Sequence, residues 1–115
     1  MQNNLMFVAG QQLRTYDVYR KESRKDSKGR VVYDYGEEPI GRIKASISTA
    51  TQKEVEKYKQ MGHPITHTLV QQLRTIVKAE DKLVRDGVNY YVKGVDNPAD
   101  LNFYAIIHCD CKAGE

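Results

Sequence analysis

The sequence predicts a mainly β protein, a small antiparallel β-barrel or sandwich with one short inserted helix at about residues 51–61. Short runs rich in Val, Ile, Thr and Tyr recur at close spacing, and Gly, Pro, Asp and Asn mark turns between them. One stretch instead has apolar residues at helical spacing. A length of 115 residues, 40% of them hydrophobic and 29% charged, fits one globular domain over residues 1–115.

Extended structure is predicted in three runs of the first half. Residues 13–20, LRTYDVYR, suit a half-buried strand, and residues 31–35, VVYDY, resume extended structure after a charged turn. In residues 40–48, IGRIKASIS, Ile43, Ala45 and Ile47 share one parity, which indicates a strand with one buried face.

The helix is predicted from residues 51–62, TQKEVEKYKQMG. Thr51 and Glu54 form a capping box, and Gly62 supplies a C-terminal stop. The apolar stripe of Val55 and Tyr58 is narrow, so we expect the helix to lie on the surface of a sheet or to project from one.

Strands and turns follow to the end of the chain. Residues 65–77, ITHTLVQQLRTIV, are interpreted as a strand with a bend near the two glutamines. Asp86-Gly87 predicts a two-residue hairpin turn, and Asn97-Pro98 predicts a further turn. The last strand should place one parity of residues 101–111 in the core: Leu101, Phe103, Ala105, Ile107, Cys109 and Cys111.

The stretch IIHCDCK raises the question of a metal or redox site. Cys109 and Cys111 continue the apolar parity of the strand, whereas His108 points the other way. A tetrahedral zinc site needs about four convergent ligands, and no second Cys or His motif completes one here. We therefore interpret both cysteines as small buried hydrophobic residues in a reducing compartment.

No residue pattern indicates an enzyme. GxGxxG, Walker A, GxSxG and HExxH spacings are all missing from the sequence, and Glu37-Glu38 beside Pro39 reads as a solvated turn. His63 and His67 have helical metal-ligand spacing, but Pro64 between them breaks that geometry. We expect no catalytic residue, metal, cofactor or small-molecule substrate. Without a signal peptide or apolar span in the sequence, we expect a soluble protein that avoids membranes.

Positive charge is distributed unevenly, although the net charge is only +3. Between Glu56 and Glu80 the chain has no acidic residue. The turn after the first strand forms a basic loop with Lys21, Arg24, Lys25, Lys28 and Arg30, which could contact phosphates or could simply be solvated.

Eight tyrosines leave two interpretations open. Tyr90-Tyr91 presents a ring to each face of a strand, as an aromatic platform for single-stranded nucleic acid would. Tyrosine is equally typical of protein interfaces, where it buries area and keeps a polar tip.

Two blocks resemble the head-tail joining family of tailed bacteriophages and prophages, the small head-closure or stopper proteins. The first block is residues 40–71, IGRIKASISTATQKEVEKYKQMGHPITHTLVQ, and the second is residues 82–111, KLVRDGVNYYVKGVDNPADLNFYAIIHCDC. Within the second, the run D-G-x-x-Y-x-V-x-G-V-x-(N/D)-P is similar to that family's most characteristic stretch, and here it comprises Asp86, Gly87, Tyr90, Val92, Gly94, Val95, Asn97 and Pro98. Cys109 and Cys111, at the end of the second block, depart from the family pattern, which does not require them.

The resemblance implies a β-barrel subunit that forms a ring beneath the portal and its adaptor, closes the filled head and receives a tail-completion protein. It implies a location in the virion at the head-tail interface, and in the host bacterial cytoplasm before assembly. Residues 48–66 would face the central channel, where non-specific contacts with packaged double-stranded DNA are expected. The channel-facing candidates are Lys53, Lys57, Lys59 and His63.

Two alternatives remain at this point. A small OB-type barrel could bind single-stranded nucleic acid through the basic loop and the tyrosines. A tail-terminator or tail-completion protein would share the particle but dock on the tail side. The helix lysines could also serve only solubility, since neighbouring glutamates allow intrahelical pairs.

Overall fold

Six antiparallel strands close into a barrel in the structure, a computed structural model that describes residues 13–113. Around the barrel the strands follow the order β1-β4-β5-β8-β7-β6, and β6 returns to β1. The strands are β1 Arg14–Tyr19, β2 Lys21–Lys25, β3 Val31–Tyr35, β4 Gly41–Thr49, β5 His67–Gln72, β6 Lys82–Arg85, β7 Val88–Asp96 and β8 Tyr104–Ala113. The helix α1 spans Gln52–Gln60, and a 3-10 turn spans Pro98–Asp100. The predicted mainly β fold with one short inserted helix is confirmed, although residues 1–12 of the predicted domain lie outside the described residues.

The barrel interior is filled by the inward parity of each strand. Tyr16 and Tyr90 meet edge to face inside it, with ring centroids 5.6 Å apart at 82°. Each large apolar side chain buried in this way contributes about 1.5–3 kcal/mol relative to exposure. The core cluster consists of Tyr16, Val18, Ile43, Ala45, Leu69, Val77, Leu83, Tyr90, Val92, Ile107 and Cys109.

The turn between β6 and β7 confirms the Asp-Gly prediction. Asp86 has φ +52° and Gly87 has φ +77°, the left-handed pair that a type I′ hairpin turn requires. The turn sets Arg85 opposite Val88 and thereby places Leu83 and Tyr90 together in the core.

Two strand predictions are wrong at their ends. The predicted strand over 65–77 ends at Gln72, because Leu73 adopts φ +65° and the chain continues without strand structure to Asp81. Leu101 and Phe103 are exposed, whereas the alternation placed them in the core. The side chain of Asn97 contacts Asn102 through two hydrogen bonds that close a turn there, so β8 begins only at Tyr104.

The β2–β3 hairpin stands apart from the barrel. Its two strands pair with each other as a separate two-stranded sheet, and every residue of β2 is exposed. The basic segment predicted as a loop is therefore strand over Lys21–Lys25, and its turn begins at Asp26, whose carbonyl accepts a hydrogen bond from the N–H of Gly29. The hairpin projects from the barrel end that holds Tyr19 and Lys82.

Candidate functional site

Helix α1 connects β4 to β5 on the outside of the barrel, where its residue Tyr58 lies against His108 of β8 and Gly94 of β7. The Thr51 hydroxyl accepts a hydrogen bond from the Glu54 N–H, and the Glu54 carboxylate accepts one from the Thr51 N–H, which confirms the capping box. Tyr58 is the buried residue of the helix and packs with Ala50 and Ile65 in a small second core. The helix is therefore attached by a narrow apolar contact, as its sequence pattern predicts.

The three helix lysines are not part of that buried contact. Lys53, Lys57 and Lys59 are all exposed, and the Lys57 ammonium lies 5.9 Å from the Tyr58 ring centroid. Among the described residues, none of the three forms a salt bridge within 4.0 Å. They remain available for phosphate contacts on the surface of the segment 48–66.

His63 is exposed, and the cleft that it lines does not include the three helix lysines. It lines a cleft of about 570 Å³ between the base of the β2–β3 hairpin and the outer face of β7, together with Lys21, Tyr35, Tyr91 and Lys93. The structure thus places His63 with a residue of the predicted basic loop.

The basic residues of the hairpin divide into paired and unpaired groups. The guanidinium of Arg24 lies 2.6 Å from Asp34, and that of Arg30 lies 3.1 Å from Asp26. The backbone N–H groups of Arg30 and Lys28 donate to the Asp26 carboxylate, and the first of these hydrogen bonds contributes most to lowering the pKa of Asp26.

Lys25 and Lys28 form no salt bridge with the described residues, and Lys21 lies 3.8 Å from the exposed carboxylate of Glu80. The hairpin arginines therefore stabilise the turn and strand pair locally. The free positive charge of the hairpin belongs to its lysines.

An ion pair with one buried partner, Asp81, joins the hairpin base to the barrel. Both the Nε and an Nη of Arg20 donate to the Asp81 carboxylate, at 3.0 and 2.9 Å, and Arg20 also donates to the carbonyl of Ile76 at 2.7 Å. Asp81 is almost fully buried and accepts a further hydrogen bond from the Lys78 N–H. The hydrogen bond to Asp81 raises the pKa of Arg20. No sequence motif indicated this pair, whose partners lie 61 residues apart.

His108 lies beneath the helix. It points outward from the barrel as predicted, yet its side chain is 5% exposed because the Tyr58 ring covers it at a centroid distance of 4.7 Å. Its Nε2 lies 2.9 Å from the Asp96 carboxylate, and its Nδ1 lies 3.9 Å from Glu54. Burial, followed by the charges of Asp96 and Glu54, raises the pKa of Tyr58.

Most of the singled-out residues between Asp86 and Pro98 have structural roles in the barrel or its turns. Tyr90 and Val92 belong to the core, and Val95 packs against it. Gly94 lies at a bulge in β7, where a Cβ atom would approach the Tyr58 hydroxyl to 2.8 Å. Asn97 closes the turn with Asn102, and Pro98 begins the 3-10 turn.

The cysteines have different environments. Cys109 is fully buried in the core cluster as predicted, and burial raises its pKa to about 12. A thiol that resists ionisation is a poor nucleophile and metal ligand. Cys111 is half-buried at the rim of the core, and both thiols are free. In the part of the chain that the structure describes, no three or more His, Cys, Asp and Glu side chains form a group that could hold a metal ion.

Within residues 13–113, no helix has the length and apolar character needed to cross a membrane.

Comparisons with solved structures find the same fold elsewhere. The solution structure of protein SF1141 from Shigella flexneri 2a matches with a TM-score of 0.65 at 16% identity, covering 94% of this chain and 100% of that one. A chain in the virion of the native gene transfer agent particle matches with a TM-score of 0.56 at 12% identity, covering 85% of this chain and 93% of that one. Neither a protein-family model nor a curated protein sequence matches. At these identities the likeness shows a shared fold.

Proposed function

We propose that this chain is a structural protein of a tailed phage or prophage particle, a connector subunit that assembles as a ring under the portal and its adaptor. The observation that carries the proposal is the fold shared with a chain of a gene transfer agent virion, over 93% of that chain. The resemblance of the segment from Asp86 to Pro98 to head-tail joining proteins supports the more specific position. In the particle the ring closes the DNA-filled head and receives the tail-completion protein.

The proposed role requires binding surfaces and no catalysis. Two polar clusters of the described residues are occupied by structural contacts: Arg20 with Asp81, and His108 with Asp96. Ring subunits meet through heterologous contacts that close by rotation, so the chain can remain monomeric until a template ring is present. The protein would reside in the host bacterial cytoplasm before assembly and in the virion afterwards.

Helix α1 is the proposed DNA-facing element of the ring. Its three exposed lysines carry positive charge without salt-bridge partners in the described part of the chain, and its attachment through Tyr58 is small. Contacts with packaged double-stranded DNA would be independent of sequence and sensitive to salt, because they replace counterions at phosphates.

A tail-side position as a terminator would use the same barrel with a different docking partner.

The first experiment is sedimentation of the purified chain alone and mixed with the portal-adaptor complex encoded with it. We expect the chain to sediment slowly alone and to move with the complex as a ring. A chain that stays slow with the portal-adaptor complex, but moves with tail tubes, would replace head closure by tail termination. If it associates with neither, the connector proposal is wrong.

The helix is tested with a triple variant, Lys53→Gln, Lys57→Gln and Lys59→Gln, added to filled heads. A control removes three exposed cations from elsewhere on the chain: Arg14→Gln, Lys44→Gln and Lys112→Gln. We expect both variants to join the ring, but only the helix variant to leave packaged DNA more accessible to nuclease. If the two variants protect packaged DNA from nuclease equally well, helix α1 does not contact the DNA.

The OB-type alternative is not retained as an account of the barrel. An OB-fold is a five-stranded barrel, and this barrel has six strands.

A further inference from the structure

Tyrosines and lysines cluster at the base of the hairpin and on the neighbouring outer face of the barrel. We call this cluster the tyrosine-lysine face and define it by Lys21, Tyr33, Tyr35, Lys82, Tyr91 and Lys93. Strand pairing determines its composition, because Lys21 lies opposite Tyr35 in the hairpin and Lys82 lies opposite Tyr91 in the barrel. The Tyr35 and Tyr91 rings join the two parts at a centroid distance of 6.3 Å.

Tyr35 holds two cations at the centre of the face. The Lys82 ammonium lies 4.7 Å from its ring centroid and the Lys21 ammonium 5.6 Å from it. The Tyr35 hydroxyl donates to the carbonyl of Glu80 at 3.0 Å, which fixes the ring. Two like charges are therefore brought close to one ring, an arrangement that attracts an anion.

Carboxylates neutralise this charge only in part. Glu80 is the acid nearest Lys21, at 3.8 Å, but its side chain is 81% exposed, so the pairing is weak. Among the described residues, Lys82 and Lys93 have no carboxylate within 4.0 Å. Lys93 lines the same cleft as Lys21 and adds to its positive potential, and His63 also lines it.

The face continues along the hairpin with an exposed ring. Tyr33 lies two residues before Tyr35 in β3, on the same face of the hairpin. Its side chain is 69% exposed. Lys25 shares that parity with Lys21 and lies about 13 Å further along the strand, at about 3.3 Å per residue. Cations and an accessible aromatic ring thus alternate along one surface.

We propose that the tyrosine-lysine face binds single-stranded nucleic acid, with the lysines on phosphates and Tyr33 stacked on a base. A stripe of ammonium groups fits any polyanion, but an exposed ring among them adds affinity only for a strand whose bases are unpaired. The paired hairpin arginines take no part, so the site is the base of the hairpin and the face that carries Lys21, Tyr33 and Tyr35, and not its turn. The cleft of this face is not lined by the helix lysines Lys53, Lys57 and Lys59, so the proposal differs from the DNA contact proposed for helix α1.

The test is fluorescence polarisation of a labelled oligothymidine of about 15 nucleotides, from about 50 to 200 mM salt. For the variant Lys21→Gln, Lys82→Gln, Lys93→Gln we expect the Kd to rise roughly tenfold or more. The slope of log Kd against log salt should fall by about 2, since each single-strand phosphate contact contributes about 0.7. For Tyr33→Ser we expect a loss of roughly fivefold or more with the slope unchanged.

Two controls distinguish a loss of binding at the tyrosine-lysine face from a general loss of positive charge and from misfolding. The variant Arg14→Gln, Lys44→Gln, Lys112→Gln removes the same charge from other surfaces and should bind like the parent chain. Tyr33 is exposed, so its substitution tests the face even if the triple lysine variant fails to fold, which circular dichroism would reveal.

Failure to bind the oligonucleotide at the lowest salt overturns the proposal, as does an equal loss in the control variant. Equal affinity for a DNA duplex or for polyglutamate, without dependence on Tyr33, also overturns it. Each of these results leaves co-sedimentation with the portal complex untouched.

Discussion

The barrel and the β2–β3 hairpin are built from the same residue types but are stabilised differently. In the barrel, Tyr16 and Val18 on alternate positions of β1 are both fully buried. In the hairpin, Tyr33 and Val31 alternate in the same way and are 69% and 58% exposed. An isolated two-stranded sheet gains little from burial and is marginal in water. The hairpin therefore depends on its turn, its ion pairs and its attachment to the barrel, and its exposed side chains are available to partners.

The largest difference between the two regions should appear when matched carboxylates are removed. Asp81→Ala breaks the ion pair with Arg20 and leaves the Lys78 N–H without its acceptor. We expect a loss of roughly 3 kcal/mol in the free energy of unfolding, near the lower end for a broken buried pair because Arg20 still reaches solvent. Urea denaturation measures this change.

Asp34→Ala is the matched control in the hairpin. Its ion pair with Arg24 is shorter, at 2.6 Å, but both side chains are more than half exposed. We expect a loss of less than about 1 kcal/mol. If the two substitutions cost the same, burial does not distinguish the two regions and the comparison fails.

A smaller effect is expected where the barrel holds helix α1. Gly94→Ala places a Cβ atom 2.8 Å from the Tyr58 hydroxyl, so the buried ring must move off His108. Overpacking of this kind costs about 2 kcal/mol. We expect amide hydrogen exchange in α1 to accelerate while exchange in β1 stays slow.

Tyr58→Phe provides the check on that mechanism. Removing the hydroxyl eliminates the nearest contact, and the next nearest atom is Cε1 at 3.1 Å. The Gly94→Ala substitution should therefore cost about half as much in the Tyr58→Phe background. An unchanged cost would mean that the added methyl group acts through the backbone of β7.

The alternation of residue types predicted the barrel strands together with their content of β-branched and aromatic residues, because a strand with one buried face repeats every two residues and such side chains suit it. It could not predict where strands end. Leu73 and Asn102 end or delay strands through left-handed backbone conformations that no turn motif announced. The segment between β5 and β6 is held by Arg20 and Asp81, which are distant in sequence.

The sequence indicated which types of residue form the candidate sites. It did not indicate which of those residues lie on the same surface. The basic loop and the tyrosines were identified from the sequence, yet pairing with Asp34 and Asp26 removes two arginines from the available charge. Tyr90 and Tyr91 fall on opposite sides of the barrel wall, so only Tyr91 reaches the tyrosine-lysine face. Which side chains meet depends on strand pairing between distant segments, and that information is not local.

A stabilising substitution is expected inside the barrel. The Tyr16 hydroxyl is buried and has no hydrogen-bond partner among the described residues. Because an unsatisfied buried hydroxyl costs free energy, Tyr16→Phe should raise the free energy of unfolding by about 1 kcal/mol, seen as a melting temperature roughly 4 °C higher. A lower melting temperature would indicate that the hydroxyl has a partner in solution.

The same residue should make stability depend on alkaline pH. Burial raises the pKa of Tyr16 from 10.0 to about 12, and burial raises the pKa of Cys109 from 9.0 to about 12. Because both acids hold their protons more tightly in the folded chain, their contribution is complete below about pH 9 and is lost as the pH rises toward 12. Tyr16→Phe should reduce this loss without abolishing it, since Cys109 remains.

The smallest effect is expected when the hairpin is shortened. Replacing residues 24–32 with an Asn-Gly turn joins Ser23 to Tyr33, which are already cross-strand partners. The removed residues contribute nothing to either core cluster, so the melting temperature should change by less than about 4 °C. A larger fall would show that the hairpin tip stabilises the barrel. With stability unchanged, any loss of ring assembly or oligonucleotide binding reports on the hairpin as a contact surface, because the barrel that supports it is intact.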